Sequence, residues 1–308
     1  MTGPFLSMGR RRLERKLVWL IGSPRSGSTW LYRLLCSPPT VVGIHEPLIG
    51  AHLGLLASAT ADVPTVRFSD RPRLVDLRGE DDEYFFSRSQ AEAWMPQLRH
   101  MVLSRFSGHI PRAARRCVVH EPNGSEGADL LIPAMPSSRL LFLVRDGRDV
   151  VDSMVDGSRP GTWLDQAFGL GTERTGGDRL AYVIEQASRW SVRMNVVQRA
   201  YDQHPARLRY LVKYEDLLRN TQDEVSSIFR WLQVDEPREL SERIAALSFD
   251  AIPEKQKGPG RFNRAASPGL WRENLSEEEQ QACDKVMAPT LTRFGYDRTT
   301  LTMEPEGL

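Results

Sequence analysis

Apolar residues fall into two recurring patterns along the chain. Short continuous runs at Leu17–Ile21, Val41–Ile44, Cys117–His120, Leu140–Val144 and Arg207–Val212 are rich in Val, Leu and Ile. Their length and lack of alternation predict strands covered on both faces. Between them, Ser28–Leu35, Gln90–Phe106, Val150–Asp156, Leu180–Tyr201, Glu224–Leu232 and Glu277–Arg293 carry apolar residues at helical spacing. Thr221 with Glu224, and Ser276 with Glu279, have capping-box spacing and predict where the last two helices begin. This alternation predicts an α/β fold of three layers, P-loop-like, with a mainly parallel central sheet of about five strands flanked by helices. Trp94 and Trp190 sit on amphipathic segments and are expected in the core.

Three stretches break the pattern: Asp62–Ser87, Gly157–Asp178 and Ile252–Glu273, the last with GPG and SPG turns among basic residues. None has the composition of a linker. Residues 17–296 are therefore expected to form a single domain with long functional loops, between a basic N-terminal tail (1–16) and a C-terminal tail (297–308).

Composition narrows the classes. Among 308 residues, 41 basic side chains oppose 40 acidic ones, so no global field favours a polyanion and no nucleic-acid partner is expected. Only five of the basic residues are lysine, leaving 41 − 5 = 36 arginines. Cys36, Cys117 and Cys283 show no metal-ligand or disulfide spacing; inert thiols and no metal are expected. The apolar run after Lys16 ends at Gly22 and Pro24, far short of the ~20 residues that span a bilayer. It also lacks a signal-peptide cleavage pattern. No transmembrane segment and a cytoplasmic location are expected.

The strongest motif is Gly22-Ser-Pro-Arg-Ser-Gly-Ser-Thr29, directly after the first strand and before a helix. Glycines permit a tight turn, and the helix start adds its positive dipole end, which together make an anion cradle. The spacing mimics the nucleotide-triphosphate loop GxxxxGK[ST], but Ser28 stands in the lysine position and the cation has moved to Arg25. A second site lies at Val144-Arg-Asp-Gly-Arg-Asp-Val-Val-Asp-Ser153, where Arg145 is delivered at the end of a buried strand. Arg145 offers a bidentate fork to a phosphate, and Ser153 a hydroxyl.

Together with Lys213-Tyr-Glu-Asp-Leu-Leu218 and Gly269-Leu-Trp-Arg-Glu-Asn-Leu275, these segments resemble the sulfotransferases that use 3′-phosphoadenosine-5′-phosphosulfate (PAPS). The resemblance runs from Leu17 to about Tyr296 and lies nearer bacterial, carbohydrate and tyrosylprotein members than cytosolic aryl and steroid enzymes. It implies that Ser23, Pro24, Arg25, Ser26, Gly27, Ser28 and Thr29 hold the 5′-phosphosulfate and that Trp30 lies against the adenine. It also implies that Arg145 and Ser153 grip the 3′-phosphate, that Tyr214 reaches the adenine edge, and that a basic loop with Lys255, Lys257, Gly258 and Arg261 closes over it. The implied reaction moves a sulfuryl group from PAPS to a hydroxyl, less readily an amine, of a small-molecule, carbohydrate or lipid acceptor, and releases PAP.

Such a reaction needs charge stabilisation on the leaving phosphate, in-line positioning and a base for the acceptor's proton. Arg25 serves the first need. For the base, Glu46 in Gly43-Ile-His-Glu-Pro47 leads, with His45 as the alternative. A similar phrase, Val118-Val-His-Glu-Pro-Asn-Gly-Ser125, offers His120 as a sulfuryl-oxygen donor, a further base or a core histidine. A P-loop kinase or NTPase, which would need a lysine after Gly27 and a metal-holding acid for which Asp146 is the only decoy, and a non-catalytic nucleotide-binding relative stand as rival readings.

Overall fold

The five continuous apolar runs assemble into one sheet. The structure is a computed structural model that describes residues 4–53, 56–58, 74–76, 83–168 and 179–296. In chain order the first elements are α1 (Pro4–Glu14), β1 (Leu17–Gly22), α2 (Ser28–Leu35), β2 (Val41–His45), α3 (Ile49–Leu53), β3 (Leu56–Ser58) and β4 (Leu74–Asp76). Then come α4 (Ala91–Ser107), β5 (Arg116–His120), α5 (Ala128–Ala134), β6 (Arg139–Val144), α6 (Gly147–Gly157), α7 (Trp163–Phe168) and α8 (Arg179–Gln203). The chain continues through β7 (Arg209–Lys213), α9 (Tyr214–Arg219), α10 (Thr221–Leu232), α11 (Leu240–Ala246), α12 (Trp271–Asn274) and α13 (Glu277–Arg293).

The central sheet has the order β2-β5-β1-β6-β7, and every pair in it is parallel. β3 and β4 pair separately and antiparallel. Alternate residues of the central strands feed two cores. Leu17, Trp19, Ile21, Val119 and Phe142 pack under α4, α8 and α13, while Val18, Leu20, Val118, Leu141 and Leu143 pack under α2 and α10. Burial on both faces is why these strands read as unbroken apolar runs. Trp94 and Trp190 belong to the first core. Because all five strands run the same way, the segments after Gly22, His45, His120, Val144 and Lys213 emerge along one edge. Chain order reverses about β1, and ligands of open parallel sheets bind at that crevice.

Several boundaries differ from expectation for local reasons. β7 starts at Arg209 because Ala206–Leu208 forms a 3₁₀ turn. α6 starts at Gly147 because the Asp146 carboxylate accepts from the Arg148 N–H and caps it. The Ser276–Glu279 capping box forms in both directions. The Thr221–Glu224 box does not: Asn220 is the N-cap without a side-chain bond, and the Thr221 hydroxyl turns back to the Leu218 carbonyl. Within the expected basic tail, residues 4–14 form α1, which ends on a buried glutamate. Glu14 accepts from Arg99 on α4 and from the Ser137 N–H at 2.7 Å. Most of Asp62–Ser87, the end of Gly157–Asp178 and the tail at 297–308 lie outside the described residues. No described helix is long and apolar enough to cross a membrane.

Candidate active site

The loop after β1 is shaped by close approaches. A Cβ at Gly22 would stand 2.2 Å from the Leu143 carbonyl oxygen of β6, so only glycine lets the two strands meet there. Gly27 has φ +84°, and a Cβ on it would lie 2.5 Å from the Tyr214 ring. Arg25 also takes a positive φ, +70°, which costs an L-residue about 1–2 kcal/mol. Ser23 Oγ, Ser26 Oγ, Trp30 Nε1 and Arg145 Nε are buried without a hydrogen-bond partner among the described residues. Orphaned donors of this kind cost about 1–3 kcal/mol each. Four of them around one turn at a helix start fit an anionic group such as a phosphate, and the donor set matches that chemistry.

Arg25 reaches across the loop. Its Nε donates to Ser153 Oγ at 3.0 Å and one Nη to the Phe262 carbonyl at 2.6 Å. Its guanidinium lies 4.9 Å from the Trp163 ring and 4.7 Å from Phe262. Burial, with the charges of Arg145 and Arg264, pushes its pKa down to about 10, which leaves it charged at neutral pH. Arg145 donates to the Arg25 carbonyl at 3.0 Å and lies over the Tyr214 ring at 4.6 Å. Tyr214 meets Trp30 edge-on, with centroids 6.5 Å apart.

One acidic face of α6 fastens the 252–273 segment. Asp149 accepts from the Gly269 N–H at 2.9 Å, Asp152 takes the Arg264 fork at 2.6 and 3.0 Å, and Asp156 accepts from the Gly260 N–H at 2.7 Å. Burial pushes the Asp149 carboxyl up to about 6. This latch brings Phe262, Asn263 and Arg264 to the cavity wall. Lys255, Lys257, Gly258 and Arg261 do not line the cavity; Lys257 pairs with Glu254 at 2.8 Å and covers the Phe249 ring. Arg264 went unnoticed in the sequence, although aspartates at i, i+3 and i+7 of one helix signal a cation opposite them.

β2 and β5 lie in register, so the two His-Glu-Pro phrases end side by side, His45 against His120. Their glutamates then part. Glu46 turns to φ +46°, donates its N–H to the His120 carbonyl at 2.8 Å and presents its carboxylate to the cavity. Asn123 Nδ2 donates to Glu46 Oε2 at 2.9 Å, and His120 Nδ1 lies 3.8 Å from Oε1, beyond hydrogen-bond reach. Glu121 is fully buried and accepts from the Leu48 and Gly50 N–H groups at 3.0 and 3.1 Å, supporting the turn that carries Glu46. Burial pushes its carboxyl up to about 7. Sequence reasoning missed Glu121; the repeated phrase was the available signal.

His120 is fully buried, shares a 2.9 Å hydrogen bond with Ser28 Oγ and stacks on Tyr32. Burial, then the charge of His45, pushes it down to about 3, so it is neutral at pH 7 and a weak base. His45 contacts the His120 and Tyr32 rings but does not line the cavity. Ligand atoms of His45, Glu46 and His120 lie within 4.8 Å of one another, the one such trio among the described residues. Burial pushes the thiols of Cys36, Cys117 and Cys283 up to about 12, which leaves them unreactive.

A cavity of about 1130 Å³ joins these parts. Of the residues singled out in the sequence, Pro24, Arg25, Gly27, Ser28, Thr29, Trp30, Glu46, Arg145 and Tyr214 line it. Ser23, Ser26, Ser153 and His120 do not line it; Ser153 and His120 act on it through Arg25 and Ser28.

The fold and motifs have counterparts among known proteins. The chain superposes on sulfotransferase STF9 from Mycobacterium avium with TM-score 0.54 and 16% identity, covering 92% of this chain and 77% of that one. It superposes on mouse sulfotransferase SULT7A1 complexed with PAP with TM-score 0.50 and 13% identity, covering 90% and 84%. A retinol dehydratase in complex with retinol and PAP gives TM-score 0.50 and 14% identity, covering 90% and 81%. At these identities the likeness concerns the fold. No curated protein matches in sequence. The model of the sulfotransferase family matches residues 18–238, which span β1 to the segment after α10 and include the anion loop, both His-Glu-Pro phrases and Arg145. The chain belongs to the sulfotransferase family.

Proposed function

We propose that this sulfotransferase takes the sulfuryl group from PAPS, passes it to a hydroxyl of a small-molecule, carbohydrate or lipid acceptor, and releases PAP. One observation carries the reading. A single cavity is lined at one part by Pro24, Arg25, Gly27, Ser28 and Thr29 of the loop after β1 with Trp30 and Arg145, and at another by the Glu46 carboxylate held by Asn123. Two of the similar solved structures hold PAP, which supports the same donor here.

In this scheme the acceptor oxygen bonds to sulfur while the sulfur–oxygen bond to the phosphate breaks. The electron pair stays on the phosphate of PAP, and the acceptor proton goes to Glu46. Arg25 and the loop hydroxyls receive the leaving charge, and Arg145 and Ser153 take the 3′-phosphate. Asn123 occupies Glu46 Oε2 and leaves Oε1 for the proton. Neutral His120 fixes the Ser28 hydroxyl rather than acting as the base.

The kinase reading loses ground on two residues. Ser28, in the lysine position, is committed to His120. Asp146 is bound by Arg148 through both carboxylate oxygens, at 3.0 and 2.8 Å, and caps α6.

A transfer assay with sulfur-labelled PAPS and a cell extract, followed by identification of the labelled product, tests the proposal. Glu46→Gln is expected to lower turnover about 10²-fold or more, as for loss of a general base, while calorimetric PAP affinity is retained. Near-wild-type turnover by that variant overturns the assignment of the base, and failure to bind PAP overturns the donor.

A further inference from the structure

α8 turns one stripe toward the cavity: Tyr182, Gln186, Arg189 and Arg193, at spacings of four, three and four residues. Its C-terminal members lie at the Glu46 end. Arg193 Nε donates to Glu126 Oε1 at 2.9 Å, and Glu126 belongs to the 3₁₀ turn Pro122–Gly127 that also carries Asn123, the partner of Glu46. Arg189 stands one helical turn before Arg193 on the same face and donates through Nε to Glu185 at 2.9 Å.

Resting on the sulfotransferase reading, we infer that the acceptor is a hydroxyl compound that also carries an oxyanion, a carboxylate, phosphate or sulfate, gripped by Arg189 and Arg193 while its hydroxyl faces Glu46.

Four observations support this. Both arginines are tethered through Nε, and among the described residues their terminal Nη groups have no hydrogen-bond partner in the chain. The Nη pair of a guanidinium is one edge of the fork that binds an oxyanion with two parallel hydrogen bonds. The partners Glu126 and Glu185, 2.9 Å from the two Nε atoms, do not line the cavity, so its wall there presents guanidinium rather than carboxylate edges. Among the described lining residues six are arginine, Arg25, Arg33, Arg145, Arg189, Arg193 and Arg264, against two carboxylates, Glu46 and Asp250. Arg25, Arg145 and Arg264 cluster around the anion loop and α6, and Arg33 stands exposed in the last turn of α2; of the remaining three, Arg189 and Arg193 are the pair on one helix face, joined through Glu126 to the turn that holds Glu46. The two cations also sense each other: burial lowers the Arg193 pKa, Glu126 raises it, and the charge of Arg189 lowers it again. An oxyanion between them relieves that repulsion.

The test uses the full chain with PAPS and three acid–ester pairs of phenolic, sugar and fatty skeletons. These are 4-hydroxybenzoate, glucuronate and 12-hydroxydodecanoate, each beside its methyl ester, with PAP release as the readout. For at least one skeleton the acid is expected to have kcat/KM about tenfold or more above its ester. Arg189→Gln should reduce that preference to about threefold or less, mainly through the KM of the acid. Glu126→Gln combined with Arg193→Gln, which removes the buried pair as a neutral isostere, should do the same, and Arg189→Lys should recover part of it. Esters that match or exceed their acids in all three pairs, or an acid preference unchanged in both variants, overturn the inference and leave Arg193–Glu126 as a tie between α8 and the Asn123 turn. Calorimetry with PAP separates the two levels: loss of PAP binding by the wild type refutes the sulfotransferase donor itself, whereas PAP binding with ester-favouring turnover refutes only the oxyanion.

Discussion

Glu121 offers the sharpest quantitative check, because burial and hydrogen bonding pull its carboxyl in opposite directions. It is fully buried, and each oxygen accepts one backbone N–H, from Leu48 and from Gly50. Burial outweighs those bonds and, with the nearby Glu46 charge, raises the carboxyl from 4.5 to about 7. The folded chain therefore holds this proton more tightly than the unfolded chain. That contribution is fully present below pH 4.5 and is lost as pH rises through about 7. At about 1.4 kcal/mol per pH unit, the loss across this window is about 3 kcal/mol. In Glu121→Gln the side chain is neutral at every pH, so the stability of wild type minus variant isolates the ionisation. Asp149, raised to about 6, titrates in both proteins and cancels. Urea unfolding of both chains at intervals from pH 4 to 8.5 should show the difference falling by about 3 kcal/mol, whatever its starting value. A difference that stays flat, or grows in favour of the wild type at high pH, refutes the reasoning. It would mean that the two N–H bonds, rather than burial, set the ionisation.

Three further outcomes follow from the geometry. Arg145→Ala removes the proposed charge-assisted phosphate contact, worth about 1.5–3 kcal/mol, and should weaken PAP about 10- to 100-fold by calorimetry; unchanged affinity rules out its phosphate role. Gly27→Ala places a Cβ 2.5 Å from the Tyr214 ring at φ +84°, so the thermal midpoint and PAP affinity should both drop, with at least about 1–2 kcal/mol lost to the backbone alone. A variant as stable as wild type would show that the loop relaxes freely. Ser276→Ala should cost about 1 kcal/mol in urea unfolding through loss of the α13 capping box, with PAP affinity intact.

What could be read without coordinates shares one property: it is local. Five strands, the sites of six helices, the α13 cap and the anion loop each announce themselves in the pattern of residues a few positions apart, even where the contacts that form them are distant. Burial of the sheet on both faces wrote itself into the chain as unbroken apolar runs, and the close passage of β1 by β6 as Gly22. Where local cues competed, the reading slipped. Thr221 has capping-box spacing, but α10 starts from Asn220 directly behind α9, and the hydroxyl bonds back to Leu218. The N-terminal basic stretch looked like a tail because its anchor, Glu14, finds Arg99 and Ser137 only after folding.

The functional assignments that needed the fold are those made across long separations. Glu46 and Glu121 sit in the same tripeptide, and nothing within either phrase says which one faces the cavity. The parallel register of β2 with β5 and a single positive φ at Glu46 send one carboxylate into the cavity and the other beneath the turn. The phosphate-side loop likewise looked like a lysine cluster in sequence, whereas the three aspartates of α6 pull Arg264 to the wall and leave Lys255 and Lys257 off it. The α8 arginines are ordinary members of a charged helix face until the cavity opens against them. Periodicity records which face of an element is dry. It does not record which neighbour supplies the opposite charge, and that choice depends on packing between segments separated by many tens of residues.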